Sequence, residues 1–266
     1  MTAPLPPSRT ATQDPAVATP QERAFGEAAS LAVVAAGLTL HGPRGLVYGP
    51  VDLALPVATI VIIQGTQGAG RSSLLLTLAG RMVPDRGSRL TVLGHDLPGA
   101  RRQVQRRSAL AGFAGIDDLD DSVRVADIVR ERLAWLSPWY RRVPRVTQRA
   151  FAAQATPIWG ERPIPRVETQ IWDLDEVDVM LLRITLAMAQ QPDLLVVDDV
   201  DQVRDSVRRQ IVWSRLDALA GSGTTVIASV SSPGEAAAMS WTDRPQQFHL
   251  STDPHTWVPA LLTGPR

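Results

Sequence analysis

One segment limits what this chain can fold into more than any other: Gly65-Thr66-Gln67-Gly68-Ala69-Gly70-Arg71-Ser72-Ser73. It follows Ala58–Gln64, a continuous β-branched run suited to a strand buried on both faces. It leads into a leucine-rich stretch closed by Gly80, which reads as a helix. The pattern G-x-x-x-x-G-K-[ST] is met at every position but one, with Arg71 in place of Lys. Glycines let a backbone wrap a phosphate without Cβ clashes, and N–H groups at a helix start point at the anion. Gly65, Gln67, Gly68, Ala69, Gly70, Arg71, Ser72 and Ser73 are therefore candidate nucleotide-binding residues, and the Ser72 hydroxyl is a candidate Mg²⁺ ligand. A glycine-rich turn capping a helix by chance has the same local look, so the weight falls on a second motif.

That motif is Leu194-Leu195-Val196-Val197-Asp198-Asp199. Four apolar residues ending in carboxylates place an acid at the carboxyl edge of a parallel sheet, where open α/β folds bind ligands. Asp198 is the expected Mg²⁺ partner. Buried strands often end in Asp, so the motif gains its force from pairing with the phosphate loop.

The rest of the chain supports an α/β reading. Strand-like runs lie at Ser30–Ala35, Val51–Leu55, Arg89–Val92, Ser108–Phe113 and Thr224–Val230. Helical periodicity runs over Asp121–Leu136, Val179–Gln190 and about 207–220, while the proline-punctuated stretch 137–172 reads as irregular. Strands alternating with helices predict a mainly parallel sheet. Residues 1–28, rich in Pro and small polar side chains, are expected to form a disordered leader, and 252–266 a tail. The 27 basic and 27 acidic residues cancel, which argues against a non-specific nucleic-acid binder. Cysteine is absent, excluding disulfides and thiolate chemistry. No apolar stretch is long enough to span a bilayer, so a cytoplasmic protein is expected.

With these motifs in place, the chain resembles the ATP-binding cassette (ABC) ATPases, the motor subunits of ABC transporters, over residues 31–251. Gln190-Gln191-Pro192-Asp193 running into Leu194–Asp199 is similar to that family's approach to its Walker B acids. The resemblance implies a P-loop NTPase fold with a mainly parallel central sheet, an antiparallel β-subdomain and an inserted α-helical subdomain at about 117–190, within a nucleotide-binding domain of 29–251. It implies ATP and Mg²⁺ as cofactors, Asp199 at the catalytic carboxylate position, Asp205 at the D-loop Asp, and His41 near the adenine-stacking position.

Several positions depart from the family pattern. The signature pentapeptide position holds Leu174-Asp175-Glu176-Val177-Asp178, Ser231 stands where a switch His is expected, and Gly115 and Ile116 occupy the Q-loop position, with Asp117 and Asp118 the nearest polar substitutes. Asp199 is one methylene shorter than the family's Glu. Arg71 keeps the charge but presents a larger planar fork. A harmless replacement is one reading of Arg71; a bound but poorly activated γ-phosphate, with Arg71 and Asp199 as the catalytic pair, is the favoured one.

The resemblance also implies an integral-membrane transporter subunit and a second ABC-type ATPase subunit as partners, placing the chain peripherally at the inner face of the cell membrane. No nucleic-acid partner is expected. A pseudo-ATPase scaffold is the competing function, and a phosphate-loop kinase a distant third. Two surface features remain open. The acids Asp117, Asp118, Asp120 and Asp121 dock a basic loop or cap the next helix. Trp135, Trp139 and Tyr140 beside Arg141, Arg142, Arg145 and Arg149 suggest helical-subdomain packing with a solvated or partner-facing rim, ahead of RNA or a membrane surface.

Overall fold

A computed structural model describes residues 31–231 and 234–251; the expected leader and tail lie outside them. The chain opens with an antiparallel sheet in the order β2-β1-β4-β5, formed by β1 (Leu31–Gly42), β2 (Gly45–Pro56), β4 (Arg89–Val92) and β5 (His95–Leu97). A second sheet has the order β6-β7-β8-β3-β9, with β3 (Ile60–Gln64), β6 (Ser108–Ala111), β7 (Leu194–Val197), β8 (Thr225–Val230) and β9 (Gln246–His249). Every pair in it is parallel.

The apolar runs of this sheet serve two cores. Ile60, Ile62, Leu195, Val197, Val226 and Ala228 face one cluster, while Val61, Ile63, Leu194, Val196 and Ile227 face the other. A strand buried on both faces needs this continuous hydrophobicity. One cluster takes in α1 (Arg71–Leu78) and the antiparallel sheet. The other takes in α3 (Val125–Leu136), α4 (Gln148–Trp159), α5 (Glu176–Met188) and α6 (Ser206–Gly221). The short α2 (Arg101–Arg107) and α7 (Glu235–Ala238) complete the set. No helix among the described residues is long and apolar enough to cross a membrane.

The expected helix over 121–136 starts later, at Val125, because Asp120 Oδ1 accepts from the Ser122 N–H at 2.9 Å and its hydroxyl at 2.6 Å, closing a turn ahead of it. The stretch 137–172 is not irregular throughout. Thr147 caps α4 by accepting from the Ala150 N–H at 3.2 Å, and Phe151, Ala155, Ile158 and Trp159 bury one face. Pro157 falls in the last turn, where it forfeits one bond to the Ala153 carbonyl but only two helical residues follow it. Trp159 is a buried anchor, its Nε1–H donating to Thr185 Oγ1 at 3.1 Å. Trp135, Trp139 and Tyr140, by contrast, are exposed rather than packed inside the helical region.

Candidate functional site

The loop between β3 and α1 is shaped from outside as well as by its own sequence. Gly70 has φ +84, and a Cβ there would lie 2.3 Å from the Val47 carbonyl oxygen on β2. The antiparallel sheet thus presses against the loop, and only glycine fits both the dihedral and the gap. Tyr48 secures this contact: its buried hydroxyl donates to Thr77 Oγ1 at 2.7 Å, and burial pushes its pKa up to about 12. Helix α1 has no side-chain cap, and the Gly68 and Gly70 N–H groups find no backbone partner among the described residues. A cluster of uncapped donors at a helix start suits a phosphate.

Strand β8 lies between β3 and β7 and joins the two motifs through Ser229, a fully buried hydroxyl near the strand's carboxyl end. Ser229 Oγ donates to Asp198 Oδ1 at 2.5 Å and accepts from the Asp199 N–H at 2.9 Å. The other Asp198 oxygen accepts from Ser72 Oγ at 2.5 Å. Hydroxyl and carboxylate therefore meet where a hard divalent cation finds oxygen ligands alongside phosphate. On this donor set the residues present fit Mg²⁺, with Ser72 and Asp198 as the side chains that would hold it. Gly112 keeps the strand end in place, since a Cβ at its φ of +82 would sit 2.4 Å from the Asp198 carbonyl oxygen.

Asp199 adopts φ 50, ψ 60, a left-handed conformation that Asp tolerates better than most residues. Its carboxylate lies 4.0 Å from Arg71 Nη2. Burial holds the Asp199 carboxyl above the usual range; Arg71 opposes that shift, and Asp201 and Asp198 add to it. The other Arg71 terminal nitrogen, Nη1, is buried without a hydrogen-bond partner among the described residues. These groups surround a cleft of about 400 Å³ lined by Val47, Gln67, Gly68, Gly70, Arg71, Ser72, Ser73, Asp198 and Asp199, with Gly112, Ala114 and Gln202. Gly65 and Ala69 shape the loop from behind: the Gly65 N–H donates to the Val230 carbonyl at 3.2 Å, and Ala69 is buried.

His41 does not join the cleft. Its exposed imidazole bonds Asp85 through Nδ1 at 2.7 Å, and Val47 fills the wall instead. Ser231 is engaged too, its N–H and hydroxyl both donating to Asp201 Oδ2. Asp205 caps α6, accepting from the Arg208 N–H at 2.8 Å. Asp175 caps α5, accepting from the Asp178 N–H at 2.9 Å. Arg162 then bridges Asp175 at 2.7 Å and Asp178 at 2.5 Å. The acids at the signature position thus have a local purpose at a helix start, where negative charge is favourable.

The acidic run braces its own loop. Asp117 Oδ2 accepts from the Gly112 N–H and Asp118 Oδ2 from the Gly115 N–H, each at 2.7 Å. Neither caps α3, whose N-cap residue Arg124 supplies no side-chain capping bond. Gln202 was not foreseen. Its Nε2–H donates to the Gly112 carbonyl at 2.7 Å and its Oε1 accepts from Arg183 at 2.8 Å, so an amide does stand in the cleft wall, from a different segment than the Q-loop position. Its proximity to Asp198-Asp199 in sequence and Ser229's polarity within Thr225–Val230 were the available signals.

Two sheets, a phosphate-loop cradle and strand-end carboxylates in this order define the ABC-type P-loop cassette. No protein-family model matches the chain. The chain is similar to ABC ATP-binding proteins: it is 30% identical over 186 residues to the Nod factor export ATP-binding protein I of Cupriavidus pinatubonensis, covering 68% of this chain and 53% of that protein. It is 31% identical over 161 residues to the hemin import ATP-binding protein of Pseudomonas putida, covering 55% and 62% respectively. The match to the Nod factor export proteins spans about half their length. Among solved structures, a bacterial ABC transporter cassette solved as a dimer superposes with a TM-score of 0.62 at 15% identity, covering 82% of this chain and 94% of that one. A component of the CbiONQ ABC transporter complex of Clostridium perfringens reaches 0.63 at 12% identity, covering 83% and 85%.

Proposed function

We propose that this chain is the nucleotide-binding subunit of an ABC-type membrane transporter, with residues 29–251 as its nucleotide-binding domain and about 117–190 as the helical part. The observation that carries this reading is the Ser72–Asp198–Ser229 chain of hydrogen bonds, which joins the phosphate loop to the strand-end acids across β8. Gly68, Gly70, Arg71, Ser72 and Ser73 bind the phosphates of ATP, and Ser72 and Asp198 hold its Mg²⁺. When bound, Mg²⁺ neutralises phosphate charge.

Asp199 then faces the cleft as the proton-accepting carboxylate. A carboxyl whose burial raises its pKa is a stronger base than an ordinary Asp. Arg71 lines the cleft and offers its guanidinium to phosphate oxygen, a charge-assisted contact. Turnover is weak, or depends on a partner, because the shorter Asp199 reaches less far and Ser231 is tied to Asp201.

A second ATPase subunit completes the site. The Asp175–Arg162–Asp178 cluster presents more negative than positive charge where a partner's phosphates would approach, so a partner with a complete signature segment suits this chain's own cleft better than a second copy. That same cluster favours the second reading, a scaffold subunit that holds nucleotide without turning it over.

The membrane subunit docks in a groove of about 430 Å³ whose walls include Ile116, Asp117, Asp118, Glu131, Trp135 and Arg183. Its walls carry three acids, Asp117, Asp118 and Glu131, balanced by Arg81, Arg132 and Arg183, around the apolar Ile116, Leu119 and Trp135. This docking places the chain at the inner face of the membrane.

Calorimetry on the full chain tests the reading. Mg-ATP binds, and Asp198→Ala abolishes the Mg²⁺ dependence of that binding. Absence of binding by the wild-type chain at millimolar ATP refutes it.

A further inference from the structure

The C-terminal end of α3 and the loop after it form a surface that neither the nucleotide cleft nor the packing explains. Trp139 is 96% exposed, Trp135 78% and Tyr140 74%, with Leu136 also exposed beside them. Side chains of this size are buried in most folds, so a cluster of them in water is informative. Trp139 and Tyr140 meet edge to face with ring centroids 5.9 Å apart, which fixes them as one protrusion. The Arg141 N–H bonds the Pro138 carbonyl at 2.9 Å, closing the turn that presents both rings.

Charge gathers around this protrusion. Between Glu131 and Glu161 the chain carries no acidic residue, while Arg141, Arg142, Arg145 and Arg149 are all exposed. Among the described residues these four guanidinium groups make no hydrogen bond or ion pair, although arginines elsewhere in the molecule have carboxylate partners. The nearest acid in sequence, Glu131, is engaged with Trp135 Nε1–H at 3.4 Å.

We propose that this Trp/Tyr/Arg surface rests on the anionic lipid headgroups of a membrane. Tryptophan and tyrosine have an apolar body and a polar tip, the combination that partitions to the headgroup layer. Unpaired arginines beside them match the negative surface potential of an anionic leaflet. The alternation of an apolar protrusion with free cations is less suited to nucleic acid, whose backbone calls for a continuous basic track. Trp135 also lines the groove assigned above to the membrane subunit, so the surface continues that face of the molecule. Only this last point rests on the transporter reading. The lipid contact stands on the exposed residues themselves.

Flotation of the full chain with vesicles tests the inference without nucleotide or membrane subunit, so its failure is separable from that of the ATP-binding reading. Vesicles of phosphatidylcholine with phosphatidylglycerol are expected to carry the chain, those of phosphatidylcholine alone far less, and added salt to release it. Arg141→Ala with Arg142→Ala weakens binding by about 25-fold, taking roughly fivefold for each arginine near a charged surface. Trp135→Ala with Trp139→Ala weakens it by at least about tenfold, while the melting temperature of each exposed variant stays at the wild-type value. Equal binding to both vesicle types, unchanged binding by the variants, or no binding at low salt overturns the proposal. So does a single-stranded RNA oligonucleotide that binds through the same residues and displaces the vesicles.

Discussion

Replacing Arg71 by Ala separates a phosphate ligand from a structural arginine. The guanidinium is largely buried, its side chain 12% exposed, yet among the described residues its sole ionic contact is Asp199 at 4.0 Å and Nη1 has no hydrogen-bond partner. A contact at that distance to a half-exposed carboxylate contributes less than about 1 kcal/mol. Leaving a buried donor unpaired costs about 1–3 kcal/mol. The two nearly cancel, so Arg71→Ala should leave the unfolding free energy within about 1 kcal/mol of wild type. Nucleotide affinity should behave differently. A charge-assisted hydrogen bond contributes about 1.5–3 kcal/mol, which corresponds to a loss of roughly 10- to 150-fold in Mg-ATP affinity. Calorimetric titration with Mg-ATP and urea denaturation, run on the same preparations, read the two quantities. Arg71→Lys serves as the control that keeps the charge. Unchanged affinity in Arg71→Ala would show that the phosphate is held by backbone alone. A loss of more than about 2 kcal/mol in stability would show that the guanidinium belongs to the core.

Three further outcomes follow from the same geometry. Ser229→Ala removes the donor to Asp198 and strips the acceptor from the Asp199 N–H, so the denaturation midpoint should fall by the equivalent of about 2–4 kcal/mol with its slope unchanged; a silent substitution refutes the bridging role. Asp199→Asn acts through pH. Burial holds this carboxyl above its unfolded pKa, so the folded chain keeps a proton that the unfolded chain releases, and stability falls as pH rises through that window. The variant should therefore match wild type below the window and melt higher above it, with turnover lost; parallel melting curves at all pH values count against the raised pKa. Asp175→Ser keeps a capping hydroxyl at the start of α5 and leaves Asp178 to Arg162, so stability changes by no more than about 0.5 kcal/mol. With one negative charge removed from the signature edge, sedimentation velocity in Mg-ATP should show a larger dimer fraction than wild type, and an equal fraction would remove charge as the obstacle.

What could be read in advance was whatever a local pattern enforces. The run Ile60–Gln64, the loop into α1 and Leu194–Val197 were legible because a strand buried on both faces needs uninterrupted apolar residues. Helix α2, with Val104 as its one buried residue, and β9, Gln246–His249 at the sheet edge, carry no such pattern. Helix α4 is hidden by the prolines that punctuate 137–172, although Phe151, Ala155 and Ile158 keep helical spacing. In the cleft, the motif residues were legible and their couplings were not. Ser229 and Gln202 act across the sheet order, with β8 inserted between β3 and β7, and that order is a tertiary fact. The same holds for Val47, which lines the cleft where His41 does not because β2 passes over the loop.

The contact between Gly70 and the Val47 carbonyl changes which substitutions inform about ligand use. A side chain at Gly70 collides with β2 whether or not a nucleotide ever visits, and Gly112 is hemmed in by the Asp198 carbonyl in the same manner. Both glycines are obligations of the architecture, so a descendant that abandoned nucleotides would still have to keep them. Arg71, Ser72 and Asp199 line the cleft with no backbone clash that dictates their identity. Drift at those three positions, in related chains or in a library under selection, is the record of whether the cleft is in use.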